Sequence, residues 1–126
     1  MKIVLLLARI VMGLMFLVFG LNIFLHFIPT PPPPGLAGQY FGALFLSHYI
    51  HFVGIIQIIG GLLLLTNRYV PLALTLLGPV IVNILLFHML LFPHNLAPPT
   101  LVTICWFLLF FHLREHFAGI FTPKTS

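Results

Sequence analysis

Among the polar side chains inside the long apolar runs of this 126-residue chain, five could bind a ligand at membrane depth. They are the amides and imidazoles Asn22, His51, Gln57, Asn83 and His88. Polar groups at membrane depth are rare and are often functional, because an unpaired amide or imidazole is costly to bury in hydrocarbon. The set offers hydrogen-bond donors and no carboxylate, which suits an apolar ligand that carries a few acceptor atoms. These residues are therefore the predicted ligand site.

Helical geometry prevents all five side chains from pointing into one pocket. Asn83, Gln57 and Asn22 form the core of the predicted site, and His88 or His51 joins them if the helices rotate favourably. The positions of these residues along their three helices predict that the site lies in the outer half of the membrane. Asn83 and Gln57 have a simpler interpretation too, since buried amides often serve only as hydrogen-bond partners between helices.

A metal site is the alternative chemistry, because the chain has seven histidines. Two imidazoles from different helices can ligate haem, but no spacing here is diagnostic and haem is disfavoured. Zinc hydrolysis usually needs a carboxylate near the metal, and the one acid, Glu115, is expected far toward the inner side. No metal site is predicted. No nucleophile–base pair stands out either, so the chain is not expected to be an enzyme by itself.

Composition decides the class of protein that holds these residues. Hydrophobic residues make up 61% of the chain and charged residues 5%, whereas soluble domains carry about 25% charged residues. The net charge of +4 comes from five scattered cations that form no basic patch, so nucleic-acid binding is not expected. The lone Cys105 excludes an internal disulfide. The chain is predicted to be an integral membrane protein surrounded by the lipid bilayer.

The apolar runs predict an all-α protein, a single four-helix membrane domain over residues 1–126. The predicted spans cover about 3–27, 48–65, 70–92 and 99–117, and a proline-rich outer loop covers 29–35. Gly13 and Gly20 are seven residues apart, as are Gly54 and Gly61. Each pair therefore shares one helix face, where a neighbouring helix can approach closely.

The cations indicate how these spans are oriented. Four spans place both termini on one side, and that side then holds every cation, namely Lys2, Arg9, Arg68, Arg114 and Lys124. Positive charge favours the cytoplasmic side, so both termini are predicted to be cytoplasmic. Arg9 lies inside the first span, where its stem either reaches the interface or its guanidinium forms an ion pair with Glu115. His112 and His116 are interpreted as interfacial groups near the inner end.

Three stretches together resemble the DoxX family of small bacterial membrane proteins. They are ARIVMGLMFLVFGLNIFLHFIP followed by a proline run, then GLAGQYFGAL, then QIIGGLLLLTNRYVPLALTLLGPVIVNILLFH, and the resemblance covers roughly residues 3–92. It implies a multi-pass protein of the bacterial inner membrane. Relatives accompany a terminal quinol oxidase and a thiosulfate:quinone oxidoreductase, so oxidoreductase subunits are expected partners, as are further copies of this chain.

Two functions from different classes follow. The first is a redox-linked accessory subunit that binds an apolar small molecule such as a quinone. The second is a non-enzymatic scaffold or assembly protein, for which the glycine faces would pack against partners. Transport ranks below both, because the spans carry no acid at mid-depth.

Overall fold

The computed structural model describes residues 2–26, 33–91 and 96–123, and no strand occurs among them. These residues are 88% helical. The helices are α1 (Lys2–Leu25), α2 (Gly35–Leu46), α3 (Tyr49–Leu65), α4 (Val70–Leu90), α5 (Ala97–His112) and a C-terminal 3₁₀ helix (Arg114–Phe121). The all-α prediction is confirmed. Most of the predicted proline-rich loop, residues 29–32, lies outside the described residues.

Two of these helices, α1 and α4, are each long and apolar enough to cross a membrane. The pair α2 and α3 meets at a bend of 84°, and α5 meets the 3₁₀ helix at 82°. If each bent pair counts as one span, the described chain has up to four. The membrane character predicted from composition is therefore confirmed in its coarse form.

The connection between α3 and α4 shows how local sequence sets the helix ends. Asn67 has a φ of 54°, a left-handed conformation that Asn tolerates better than most residues. The Arg68 N–H bonds to the Leu63 carbonyl at 3.0 Å, which closes the last turn of α3. Pro71 then lies in the first turn of α4, where its missing N–H has no partner to lose. The chain therefore reverses its direction sharply between α3 and α4.

The contact between α1 and α3 is a glycine seam formed by Gly13, Gly20, Gly54 and Gly61. A Cβ added at Gly61 would lie 2.8 Å from the Gly13 carbonyl oxygen, and one at Gly20 would lie 3.1 Å from the Gly54 carbonyl oxygen. Gly13 thus faces Gly61 and Gly20 faces Gly54, so the two helices run antiparallel. The predicted glycine faces are confirmed, and they pack against each other.

The remaining contacts join the helices through side chains. α1 packs most extensively against α3 and also contacts α5, while α4 contacts the same two helices. Leu77 of α4 occupies the space that a Cβ at Gly60 would need. The Trp106 indole N–H donates to the Leu74 carbonyl at 2.9 Å and ties α5 to α4. Met12, Leu64, Leu74 and Leu77 are fully buried at the centre.

The C-terminal segment departs from the predicted span over 99–117, which runs straight through the bend after His112. The reason is the burial of one ring. Phe117 is buried in the 3₁₀ helix and packs against Phe110, with ring centroids 4.9 Å apart. Turning the chain back places this ring against the core and leaves Arg114, Glu115 and His116 exposed.

Candidate functional site

Two of the five predicted site residues lie near the glycine seam. Gln57 is 8% exposed, and its Cβ would lie 3.1 Å from a Cβ added at Gly20. His51 packs against Phe24 of α1, with ring centroids 5.1 Å apart. Its Nδ1 is buried without a hydrogen-bond partner among the described residues. The close approach of the two backbones leaves this seam tightly packed.

The other predicted residues do not join them. Asn22 is 7% exposed, but it lies about 200° around α1 from Gly20 and so leaves the seam. His88 on α4 contacts the carbonyl of Ile84 in its own helix through Nδ1, at 2.8 Å. The five residues do not converge on one pocket, and none of them lines either of the two cavities described below.

Asn83 differs most from its predicted placement. The predicted site requires Asn83 to face other helices, but Asn83 and Pro79, which lies one turn before it, are both exposed on the outside of the structure. The apolar residues that face the core from α4 are Ala73, Leu74, Leu77, Val80 and Ile81. Their bulk satisfies the packing with α3 and α5, so the amide is turned outward.

Arg9 also has a different partner from the predicted one. Its guanidinium Nη1 donates to the Leu64 carbonyl at 2.6 Å and to the Leu65 carbonyl at 3.4 Å. These carbonyls end α3, where the helix dipole favours a cation. No ion pair with Glu115 forms in the described part of the chain, because Glu115 lies in the exposed 3₁₀ helix beyond the bend.

The larger of the two cavities is a cleft of about 610 Å³ at the end of the helices where the cations gather. We call it the cationic cleft. Its polar lining is Lys2, Arg9, Asn67, Tyr69, His112 and His116, and its apolar lining is Leu5, Leu6, Val70, Pro71, Leu109 and Leu113. The beginning of α1, the α3–α4 turn and the end of α5 meet here.

The polar side of the cationic cleft can donate hydrogen bonds in several directions. Lys2 and Arg9 carry positive charge and only donors, while Asn67, Tyr69 and the imidazoles can also donate. Among the described residues, no carboxylate lines the cleft. Since Arg9 is held by the end of α3, part of the donor set is fixed in place before a ligand arrives. The cleft therefore suits an oxygen-rich or anionic head joined to an apolar body.

The smaller cavity is an apolar groove of about 220 Å³ beside Pro79. It is lined by Leu74, Thr75, Gly78, Pro79, Trp106, Phe110, Phe117, Ile120 and Phe121. Its two groups with N–H or O–H donors are already engaged, because Trp106 bonds to the Leu74 carbonyl and Thr75 bonds to the Pro71 carbonyl at 2.9 Å. This aromatic groove offers apolar contact and few donors.

Sequence reasoning placed the candidate site toward the opposite end of the helices from the larger cavity. It treated His112 and His116 as interfacial groups and Lys2 as a topology signal. A usable signal was present, because the predicted topology already brings these residues to the same side as Arg9. What the pattern could not supply is the bend after His112, which brings His116 to the cleft.

Comparisons of the chain with protein-family models, with curated proteins and with solved structures found no match. The resemblance to the DoxX family therefore stays a prediction.

Proposed function

We propose that this chain is a DoxX-like protein of the bacterial inner membrane, with four spans and both termini in the cytoplasm. In this proposal it acts as a redox-linked accessory subunit that binds a quinone and works beside oxidoreductase subunits. The observation that carries the proposal is the cationic cleft, which combines donors without acids and an apolar wall.

The proposed topology draws support from helix contacts and charge. The contacts among α1, α3, α4 and α5 form a closed ring, as expected of four neighbouring spans. Lys2 and Arg9 at one end of α1 line a single cleft with Asn67 and His112, so the beginning of α1, the α3–α4 turn and the end of α5 lie near one another. Positive charge on that side favours the cytoplasm.

The proposed ligand follows from the chemistry of the cleft. A quinone head carries two carbonyl oxygens that accept hydrogen bonds, and Tyr69, His112 and Lys2 can donate them. The apolar ring and tail would lie along Leu5, Leu6 and Leu109 toward the lipid. The volume of about 610 Å³ falls within the range of about 300–1,000 Å³ usual for small-molecule sites.

Equilibrium dialysis of a short-chain quinone against the full chain in nanodiscs of zwitterionic lipid tests the proposal. The double variant Lys2→Gln with His112→Leu should bind about tenfold more weakly, because one donor loses its positive charge and the imidazole donor is lost. His88→Leu is the matched control, since this imidazole lies outside the cleft, and it should bind like the wild type.

Equal affinity for the wild type and the double variant would mean that the quinone only partitions into lipid, and the proposal would fail. A second arm separates the quinone from lipid headgroups, which can offer the same acceptor oxygens. If anionic lipid in the nanodisc abolishes quinone binding, the cleft is a headgroup site and the proposed function is also overturned.

The scaffold alternative loses its original support. It relied on the glycine faces as surfaces for partner proteins, but Gly13, Gly20, Gly54 and Gly61 are occupied within the chain by the α1–α3 contact. A role in assembly would have to use another surface.

A further inference from the structure

Asn83 carries a polar amide on the exposed surface of an apolar helix. It lies on α4, which is long and apolar enough to span a membrane by itself. At about 1.5 Å per residue it lies about 20 Å from Val70 and about 10 Å from Leu90. Its exposed amide makes no hydrogen bond to any described residue. In a hydrocarbon core about 30 Å thick, such an amide needs a partner.

Four other polar side chains within α4 and α5 do have partners. Thr75 donates to the Pro71 carbonyl and Thr103 to the Pro99 carbonyl, each within its own helix. His88 contacts the Ile84 carbonyl, and Trp106 bridges to α4. The Asn83 amide has no such partner among the described residues, and its side chain is exposed.

The residues around Asn83 form a continuous outward stripe on α4. Its exposed positions are Leu72, Thr75, Pro79, Val82, Leu86 and Met89. They recur at intervals of three and four residues, which is the spacing of a helix that packs along its length against another helix. Asn83 lies beside Val82 and one turn from Pro79 and Leu86, at the middle of the stripe. We call this surface the α4 stripe.

From these observations we infer that the α4 stripe binds a second copy of this chain through a pair of Asn83 amides. A primary amide is both a donor and an acceptor, so it is complementary to itself. Two copies inserted in the same direction are related by a two-fold axis along the membrane normal, which brings like residues to the same depth. The two α4 helices then run parallel, and a single Asn sets their register.

The inference depends on α4 spanning the membrane and not on quinone binding. Asn83, Val82 and Leu86 line neither cavity, so the two proposals can fail separately. Asn83→Leu should leave quinone affinity unchanged, while the Lys2→Gln and His112→Leu changes should leave self-association unchanged.

Cysteine cross-linking of the full chain in native membranes tests the inference. The wild type has one cysteine, Cys105, which is buried and serves as the background. Leu86→Cys places a thiol on the α4 stripe at a residue that is 47% exposed, and Leu14→Cys places one at 48% exposure on α1, away from the α4 stripe. A short thiol cross-linker should join Leu86→Cys chains into dimers and leave Leu14→Cys chains as monomers.

The amide is then tested in the Leu86→Cys background. Adding Asn83→Leu should weaken association by about 5- to 30-fold, as expected for loss of a hydrogen bond between membrane helices. Adding Asn83→Gln should preserve much of it, since the amide is kept. Asn83 is exposed, so circular dichroism should show the same helix content in all variants.

Several results would overturn the inference. Equal cross-linking at Leu14→Cys and Leu86→Cys would indicate random collision. Monomers at Leu86→Cys, or dimers unaffected by Asn83→Leu, would show that the amide does not hold two copies together. Adducts of Leu86→Cys with a different protein would show that another partner covers the stripe.

Discussion

The α1–α3 contact and the α4–α5 contact join neighbouring helices in opposite ways. Between α1 and α3 the glycines bring the backbones together, and the nearest atoms to a Cβ at Gly61 are the Gly13 carbonyl oxygen and the Leu17 nitrogen, each at 2.8 Å. Between α4 and α5 a large side chain fills the space, and a Cβ at Gly78 would meet the Trp106 ring at 3.6 Å. The first contact is rigid, and the second leaves room for the aromatic groove.

This difference explains where a cavity can open. Backbones in close contact leave little space between them, and neither of the two cavities opens at the glycine seam. Side chains at a wider contact leave gaps that they fill only in part. The cationic cleft likewise lies where three chain segments meet at an end of the structure, and not within the seam.

A matched pair of glycine substitutions is the strongest test of the difference between the α1–α3 and α4–α5 contacts. Gly61→Ala places a methyl group against backbone, so we expect a net loss of about 2 kcal/mol, within the usual range for overpacking. Gly78→Ala adds the same methyl group at ordinary contact distance, so it should be neutral or stabilising by up to about 1 kcal/mol from helix propensity. Unfolding titrations in mixed detergent micelles measure both. Equal effects would show that the seam is no tighter than the α4–α5 contact.

Substitution of Arg9 tests how much its hydrogen bonds to the end of α3 stabilise the α1–α3 contact. Arg9→Met removes the charged donor from the Leu64 carbonyl, and we expect a loss of about 1.5 kcal/mol, the low end for hydrogen bonds to charged groups. Glu115→Gln should change stability by less than about 0.5 kcal/mol, as is usual for exposed sites. The same unfolding titration compares the two variants. If Glu115→Gln is as harmful as Arg9→Met, the ion pair expected from the sequence holds instead.

The smallest expected effect lies in the α4–α5 contact. Trp106→Phe keeps an aromatic ring but loses the indole N–H bond to the Leu74 carbonyl, so we expect a loss of about 1 kcal/mol. Thermal unfolding followed by circular dichroism measures it. Phe107→Leu is the control on the next residue, whose ring is exposed, and it should change little. A loss for Trp106→Phe larger than for Gly61→Ala would reverse the ranking of the two contacts.

The amino-acid sequence by itself determined the helices and which of their faces carry glycine. Apolar runs without charge admit only helices in hydrocarbon, because every backbone group must be paired internally. A seven-residue interval keeps Gly13 and Gly20 on one face whatever their neighbour. The meeting of Lys2 and Arg9 with the α3–α4 turn also follows from chain order, since α1 and α3 run antiparallel.

Only the tertiary structure decided what those faces meet and where polar groups point. The orientation of Asn83 depends on how α4 rotates to bury Leu74 and Leu77, and a nearly uniform apolar helix carries little periodic signal for that rotation. The bend after His112 depends on Phe117 finding a place against Phe110. The partner of Arg9 is a backbone carbonyl, and every residue type has one, so no side-chain pattern could have identified it.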